Sequence, residues 1–265
     1  MEEIQPILVE QDLWIVSDLH LQSGHDDTAA AFIRGLERDI NAGDVLILAG
    51  DVFDAFAGTK KVYLDRYEPV LAAVREACAK GVRLHVLEGN HDIHLGNWVA
   101  SLPNARLHPG GVLMEWGRRR VWIEHGDEVN AADYGYRALR MLFRSPLMKA
   151  WVNFSPDRAF DAFARFSSRS SRGANPWLPE QLPANQLASL RRIYREAAYR
   201  RLLNGTDCVV FGHCHDLDEV RFTVGERQVQ YINMGFPPVH GTILRGRAGG
   251  EFIERHALRV RGAKS

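Results

Sequence analysis

Apolar residues gather in short stretches of strand length at 13–16, 45–49 and 82–87, which suits strands buried within a sheet. Between them the spacing changes. Residues 29–40 repeat apolar positions at helical intervals through Phe32, Ile33, Leu36 and Ile40, and 62–80 does so through Tyr67, Val70, Leu71, Val74 and Ala77. Gly81 follows where a helix commonly ends. Strand, helix and strand in about forty residues make a βαβ unit, so this third of the chain predicts parallel strands with helices between them. Residues 112–116 and 121–124, separated by Gly117-Arg118-Arg119-Arg120, read as a hairpin.

After Asp127 the texture becomes helical. Residues 133–143, 147–154 and 157–166 read as short helices broken by Pro146 and Pro156; a Ser/Arg loop occupies 167–173, and a further helix spans 187–203. Short β-type runs then resume at 208–211, 219–224, 228–232, 241–244 and 252–256, spaced like an antiparallel meander. The helical block interrupts a β pattern, so we expect an α/β core at 9–127 and 204–258 with an inserted helical cap at 128–203.

Charge sharpens that division. The 265-residue chain has a formal net charge of zero, so no whole-protein field favours nucleic acid. Yet 134–205 carries thirteen Lys and Arg against four acids, which leaves the remainder acidic by the same margin. With 46% hydrophobic and 25% charged residues the composition is that of an ordinary globular protein. Cys78, Cys208 and Cys214 are odd in number and unpatterned, which argues for a reducing compartment. The N-terminus has no basic and apolar signal pattern, and no window is long and apolar enough to span a bilayer, so the expected location is the cytoplasm.

Five polar clusters each directly follow a short apolar run. These are Asp18-Leu19-His20, Gly50-Asp51-Val52-Phe53-Asp54, Gly89-Asn90-His91-Asp92, His125-Gly126-Asp127 and Gly212-His213-Cys214-His215. Histidines at i and i+2 in an extended segment project to one side, as half of a metal site would require. Carboxylates, imidazoles and an amide oxygen without thiolates suit Mn²⁺, Fe²⁺ or Zn²⁺ in an open site. Two ions about 3.5 to 4 Å apart need a shared ligand, and Asp51, at a strand end, is the candidate bridge. Any one of these clusters alone is an ordinary turn or cap; five in this order are specific.

The five clusters are similar to the motif blocks of calcineurin-like metallophosphoesterases. That resemblance implies a four-layer αββα sandwich with two face-to-face sheets, and a dinuclear centre in which a hydroxide between the ions attacks phosphorus. It implies one ion on Asp18, His20, Asp51 and His215 and a second on Asp51, Asn90, His125 and His213. His91, paired with the Asp54 carboxylate, would serve as acid or phosphate contact. His85, His94 and His108 lie outside the blocks and are expected at the surface or in packing.

Ser17 to Leu21, the run from His125 through Asp133, Tyr136 and Arg140, and the cap itself resemble the UDP-2,3-diacylglucosamine pyrophosphatases of lipid A synthesis. That resemblance implies an amphiphilic nucleotide substrate, Mn²⁺, and peripheral contact with the inner membrane face. Asn90, Asp133, Tyr136, Arg169 and Arg172 are the expected substrate contacts. Trp151, Phe154, Phe160, Phe163 and Phe166 either line an acyl groove or form cap core. The enzymes resembled carry Arg where this chain has His91 and Glu where it has Asp54, and both positions look like the general phosphatase pair. A soluble phosphatase, a cyclic-nucleotide phosphodiesterase and a non-catalytic interaction module are the competing readings.

Overall fold

The computed structural model describes residues 5–58, 60–130, 134–161 and 178–261, with the backbone alone at 134–137 and 139. Two six-stranded sheets form its centre. One runs, in spatial order, β14 (Ile253–Ala257), β13 (Thr242–Gly246), β2 (Leu13–Val16), β3 (Val45–Ala49), β5 (Arg83–Leu87) and β7 (Ala105–His108). The other runs β1 (Ile7–Val9), β8 (Val112–Trp116), β9 (Arg119–Ile123), β10 (Cys208–Phe211), β12 (Arg227–Asn233) and β11 (Glu219–Val224).

The near-continuous apolar strands are explained by burial on both faces. Leu13, Ile15, Val45 and Ile47 of the first sheet share a core with Met114, Val121, Ile123, Val210 and Ile232 of the second, so the sheets pack face to face. Side chains alternate across a strand, and Trp14, Val16, Leu46 and Leu48 therefore point the other way. They meet Phe32 and Leu36 of α1 (Asp27–Asp39) and Val70, Leu71 and Val74 of α3 (Glu68–Ala79). Strands β2, β3, β5 and β7 are parallel and laid down in one direction, which puts successive right-handed crossovers on the same face.

The expected single helix over 62–80 is two, α2 (Lys61–Arg66) and α3, which meet at Tyr67. Pro69 lies in the first turn of α3, where a missing N–H costs nothing. The expected hairpin at β8 and β9 is present. The expected meander is not. β10 lies parallel to both β9 and β12, and of the five strands from β10 to β14 only the β11–β12 and β13–β14 pairs form hairpins, one in each sheet. Between them the chain passes through α8 (Pro237–His240) to the opposite sheet. Apolar runs this short do not distinguish parallel from antiparallel neighbours.

The helical block divides in two. Helix α7 (Ala184–Leu203) buries Tyr194, Ala198 and Leu202 against Trp122, Val209, Phe211, Val229 and Tyr231, as the fourth layer over the second sheet. Helices α5 (Tyr134–Phe143) and α6 (Pro146–Phe154) lie elsewhere, with Val152 and Phe160 joined to the core beside Tyr63. The basic excess of the block meets the acidic excess of the core directly. Arg140 bonds Asp127, Arg191 bonds Asp216, Arg195 bonds Asp218 and Arg201 bonds Glu124.

Candidate metal centre

The polar clusters sit on loops that leave the C-terminal ends of β2, β3, β5, β9 and β10, where open α/β sheets commonly bind ligands. Asp18, His20, Asp51, His213 and His215 all have left-handed backbones, with φ of 54°, 44°, 53°, 66° and 58°. Each such residue costs about 1–3 kcal/mol and persists only where its surroundings over-determine it. Main-chain bonds from Asp18 N–H to the Gly50 carbonyl (3.1 Å) and from His20 N–H to the Asp51 carbonyl (3.0 Å) supply part of that constraint. His213 N–H adds a bond to the Asp18 carboxylate at 3.1 Å. Two glycines permit the close approach of these loops. A Cβ at Gly89 would overlap the Asp51 carboxylate, and one at Gly50 would lie 2.6 Å from His125 Nδ1.

The side chains converge in three groups, Asp18 with His20 and His215, Asp51 with His125 and His213, and His20 again with Asp54 and His91. In the first, His20 Nε2 and His215 Nε2 face each other at 3.1 Å, and His215 Nε2 lies 3.4 Å from Asp18 Oδ1. In the second, His125 Nε2 lies 3.4 Å from Asp51 Oδ2 and 3.3 Å from Asn90 Oδ1. Asp51 Oδ2 is also 3.7 Å from His20 Nε2, so it faces both of these groups. Its other oxygen is held in place, accepting N–H of Asn90 (2.8 Å) and of His91 (2.9 Å). His125 Nδ1 donates to the Ala49 carbonyl at 3.0 Å, which fixes its tautomer and turns Nε2 towards the site.

Electrostatics fit a cation. Burial alone would raise the Asp18 and Asp51 carboxyls, but the neighbouring histidines hold both below the ordinary range. Burial, with the charge of a neighbouring histidine, holds His20 well below its usual value and His213 near 4, leaving neutral imidazoles as ligands should be. His125 is the exception. Burial opposes its charge, yet Asp51, Asp18 and Asp127 outweigh burial and raise it to about 10. Two anionic carboxylates, neutral imidazoles and the Asn90 amide oxygen form a nitrogen and oxygen donor set of the kind divalent ions bind.

Around these groups stand residues that the sequence left without a role. Asp92 is buried and accepts N–H from Asp51 (3.1 Å), Gly89 (2.8 Å) and Val52 (2.8 Å). Its presence in Gly-Asn-His-Asp was the available signal. Ser17 donates to the Asp18 carboxylate. Phe236 stacks on His215 with centroids 4.6 Å apart, and nothing in the sequence pointed to it.

His91 stands edge-on to His20, centroids 4.8 Å apart. Its Nδ1 donates to the main-chain carbonyl of Asp54 at 2.8 Å, while the Asp54 carboxylate, the expected partner, is 4.0 Å away. Helix α5 reaches these loops. Arg140 Nε donates to Asp127 at 2.6 Å, Arg144 to the Glu88 carbonyl at 3.0 Å, and His94 Nε2 to the Phe143 carbonyl at 3.1 Å. Asp133, Arg169, Arg172, Phe163 and Phe166 lie outside the described residues, as does the side chain of Tyr136. Of the remaining cap aromatics, Phe160 is core and packs on Trp151 and Tyr63, whereas Phe154 is exposed.

The calcineurin-like phosphoesterase family model matches residues 12–217. A UDP-2,3-diacylglucosamine hydrolase of Chromohalobacter salexigens is 30% identical over 222 residues, covering 83% of this chain and 87% of that protein. The enzyme of that name from Bordetella parapertussis is 31% identical over 214 residues, 79% of each chain. Its Xanthomonas oryzae counterpart is 27% identical over 247 residues, 92% of this chain and 98% of that one.

Proposed function

We propose, since the chain belongs to the calcineurin-like phosphoesterase family, that this hydrolase cleaves the pyrophosphate of UDP-2,3-diacylglucosamine, or of a related amphiphilic nucleotide diphosphate, to UMP and a lipid phosphate. In this reading Asp18, His20, Asp51 and His215 hold one divalent ion, and Asp51, Asn90, His125 and His213 hold a second. When bound, the pair supplies a water of lowered pKa and positive charge beside the phosphoryl oxygens. Asp51, with Oδ1 tied to the main chain and Oδ2 between the groups, is the shared ligand. Mn²⁺ is the proposed metal, on a donor set of nitrogen and oxygen. His91, with Nδ1 donating to the Asp54 carbonyl, presents Nε2 to the departing oxygen and gives it a proton from the doubly protonated imidazolium, returning to the neutral ring with Nδ1–H.

The observation that carries the amphiphilic half is on α5 and α6. Met141 (73%), Leu147 (81%) and Phe154 (88%) are mostly exposed, with Leu142 and Trp151 exposed beside them, and Lys149 and Arg158 are exposed in the same stretch. Apolar side chains with interspersed cations suit acyl chains and an anionic bilayer surface, so peripheral contact with the inner membrane face belongs to the reading. No helix among the described residues is long and apolar enough to cross a membrane. Relatives named for a diacylated nucleotide sugar support the same substrate.

The test is a metal-supplemented assay on UDP-2,3-diacylglucosamine, p-nitrophenyl phosphate and cyclic AMP. The lipid nucleotide should give the highest kcat/KM, and Leu147→Ser with Phe154→Ser should raise its KM about tenfold and leave p-nitrophenyl phosphate unchanged. A preference for cyclic AMP or the aryl phosphate would sink the lipid assignment. It would favour the second reading, a soluble phosphatase or cyclic-nucleotide phosphodiesterase, for which His91 is the supporting residue.

A further inference from the structure

The loop bearing His213 and His215 is braced from outside the site by α7. We propose that Arg191 and Arg195 are positioning residues that act through Asp216 and Asp218 to place the two histidines, and so set the metal affinity of the centre. This rests on the reading of His213 and His215 as ligands.

The loop needs such support. It leaves β10 through two left-handed residues, His213 and His215, and enters β11, the edge strand of its sheet, in which no residue is fully buried. Two carboxylates at its far end are buried, with Asp216 2% and Asp218 5% exposed. Each takes a two-pronged guanidinium. Arg191 donates from Nε and Nη2 to Asp216 at 2.7 and 2.8 Å, and Arg195 likewise to Asp218 at 2.8 and 2.6 Å. Arg191 and Arg195 are about one helical turn apart, roughly 6 Å along the axis, and Asp216 and Asp218 are two residues apart on the loop, so the two pairs form successive rungs.

The same helix face reaches the other metal group. Tyr194, between the two arginines in sequence and buried, donates to the Gly126 carbonyl at 3.1 Å, one residue beyond His125. Behind the loop, Arg255 donates to the carbonyls of Asn233 (2.9 Å), Met234 (3.2 Å) and Asp218 (3.3 Å), fixing the opposite side. Holding α7 on the sheet does not require the arginines, because Tyr194, Ala198 and Leu202 are already buried there. The arginine forks are aimed at the ligand loop.

The experiment compares wild type, Arg191→Met with Arg195→Met, and Arg227→Met. Arg227 also touches α7, through the Leu202 carbonyl, and pairs with Asp207 at the opposite end of β10, so its loss loosens the helix away from the site. Metal-free proteins are titrated with Mn²⁺ by calorimetry, with folding checked by circular dichroism. The double variant should bind at least one Mn²⁺ about tenfold more weakly, the loss expected when residues that orient ligands are removed, and recover its kcat at saturating Mn²⁺. Arg227→Met should bind as wild type, and Arg191→Lys with Arg195→Lys, which keeps the charge but not the fork, should fall between. If the double variant does not fold, Asp218→Asn, which keeps the shape, takes its place in the titration. A Mn²⁺ isotherm for the folded variant that superimposes on wild type, or an equal loss in Arg227→Met, overturns the inference. A wild type that binds no Mn²⁺ overturns the ligand reading beneath it, and because the titration contains no substrate, its result is independent of the lipid assignment.

Discussion

Asp92 holds Asp51 by its main chain, with Oδ1 accepting the Asp51 N–H at 3.1 Å. Its bond from Val52 N–H ties the two loops at a second point, and the one from Gly89 N–H closes its own loop. Burial, aided by the Asp51 charge, pushes the Asp92 carboxyl up to about 6. Asp92→Asn replaces one accepting oxygen with an NH₂ group that faces an N–H. We expect a loss of about 2–4 kcal/mol in unfolding free energy, in line with stranding buried donors, and a lower metal content. Urea unfolding and metal analysis check both; unchanged values would mean that the loops hold without Asp92.

Asp51→Asn asks a narrower question, because the amide oxygen can still accept the Asn90 and His91 N–H groups. The charge facing His20 and His125 is lost while the loop stays tied. Turnover should fall at least about a hundredfold and bound metal should drop below two ions, with the circular dichroism spectrum unchanged. A purified variant with two ions and near-normal turnover would place the bridge elsewhere.

The site was more legible than the elements that brace it. Asp18, Asp51, Asn90, His125 and the His213 and His215 pair each follow an apolar strand, so spacing alone put them at one end of a sheet. The left-handed backbones of Asp18, Asp51, His213 and His215 left no mark in composition, because a strained residue is chosen by tertiary constraint rather than propensity. The parallel neighbours of β10 were equally hidden, since a strand buried on both faces looks the same beside either kind of partner. Helix α7 was expected in the cap because it belongs to the helical block that interrupts the β pattern. Its Tyr194, Ala198 and Leu202, four apart, were the available signal of a helix lying on a sheet. Asp216 and Asp218, which pair with its Arg191 and Arg195, lie more than twenty residues away in sequence, and only the fold brings them together.

His85 and His108, expected at the surface or in packing, are buried and joined by a 2.9 Å hydrogen bond between His85 Nδ1 and His108 Nε2. Burial is the main cause that lowers both to about 4. A histidine with a depressed folded pKa takes up its proton first in the unfolded chain, so stability is fully present above about pH 6.5. It should decline as pH falls towards 4, by about 2–3 kcal/mol from this pair. Urea midpoints of wild type and His85→Leu with His108→Leu, at pH 7.5 and 5.0, test this. The variant should lose less stability on acidification, and parallel losses would clear the pair of any part in it.

The sequence resemblance implies arginine in the lipid A enzymes at the place where this chain has His91. An arginine, with its pKa above about 12, can only attract phosphate, whereas a histidine can also give up a proton. The bond from Nδ1 to the Asp54 carbonyl leaves Nε2 as the atom that exchanges one. If it protonates the departing oxygen, the effect of its removal must depend on how badly that oxygen needs a proton. His91→Ala should lower kcat by about 10²- to 10⁴-fold for an alkyl or sugar phosphate and much less for p-nitrophenyl phosphate, whose leaving group departs unprotonated. His91→Arg should restore KM but not the leaving-group dependence. Equal loss on both substrates, mainly in KM, would make His91 a phosphate clamp, and the chain would then work as an arginine-bearing enzyme does despite the changed side chain.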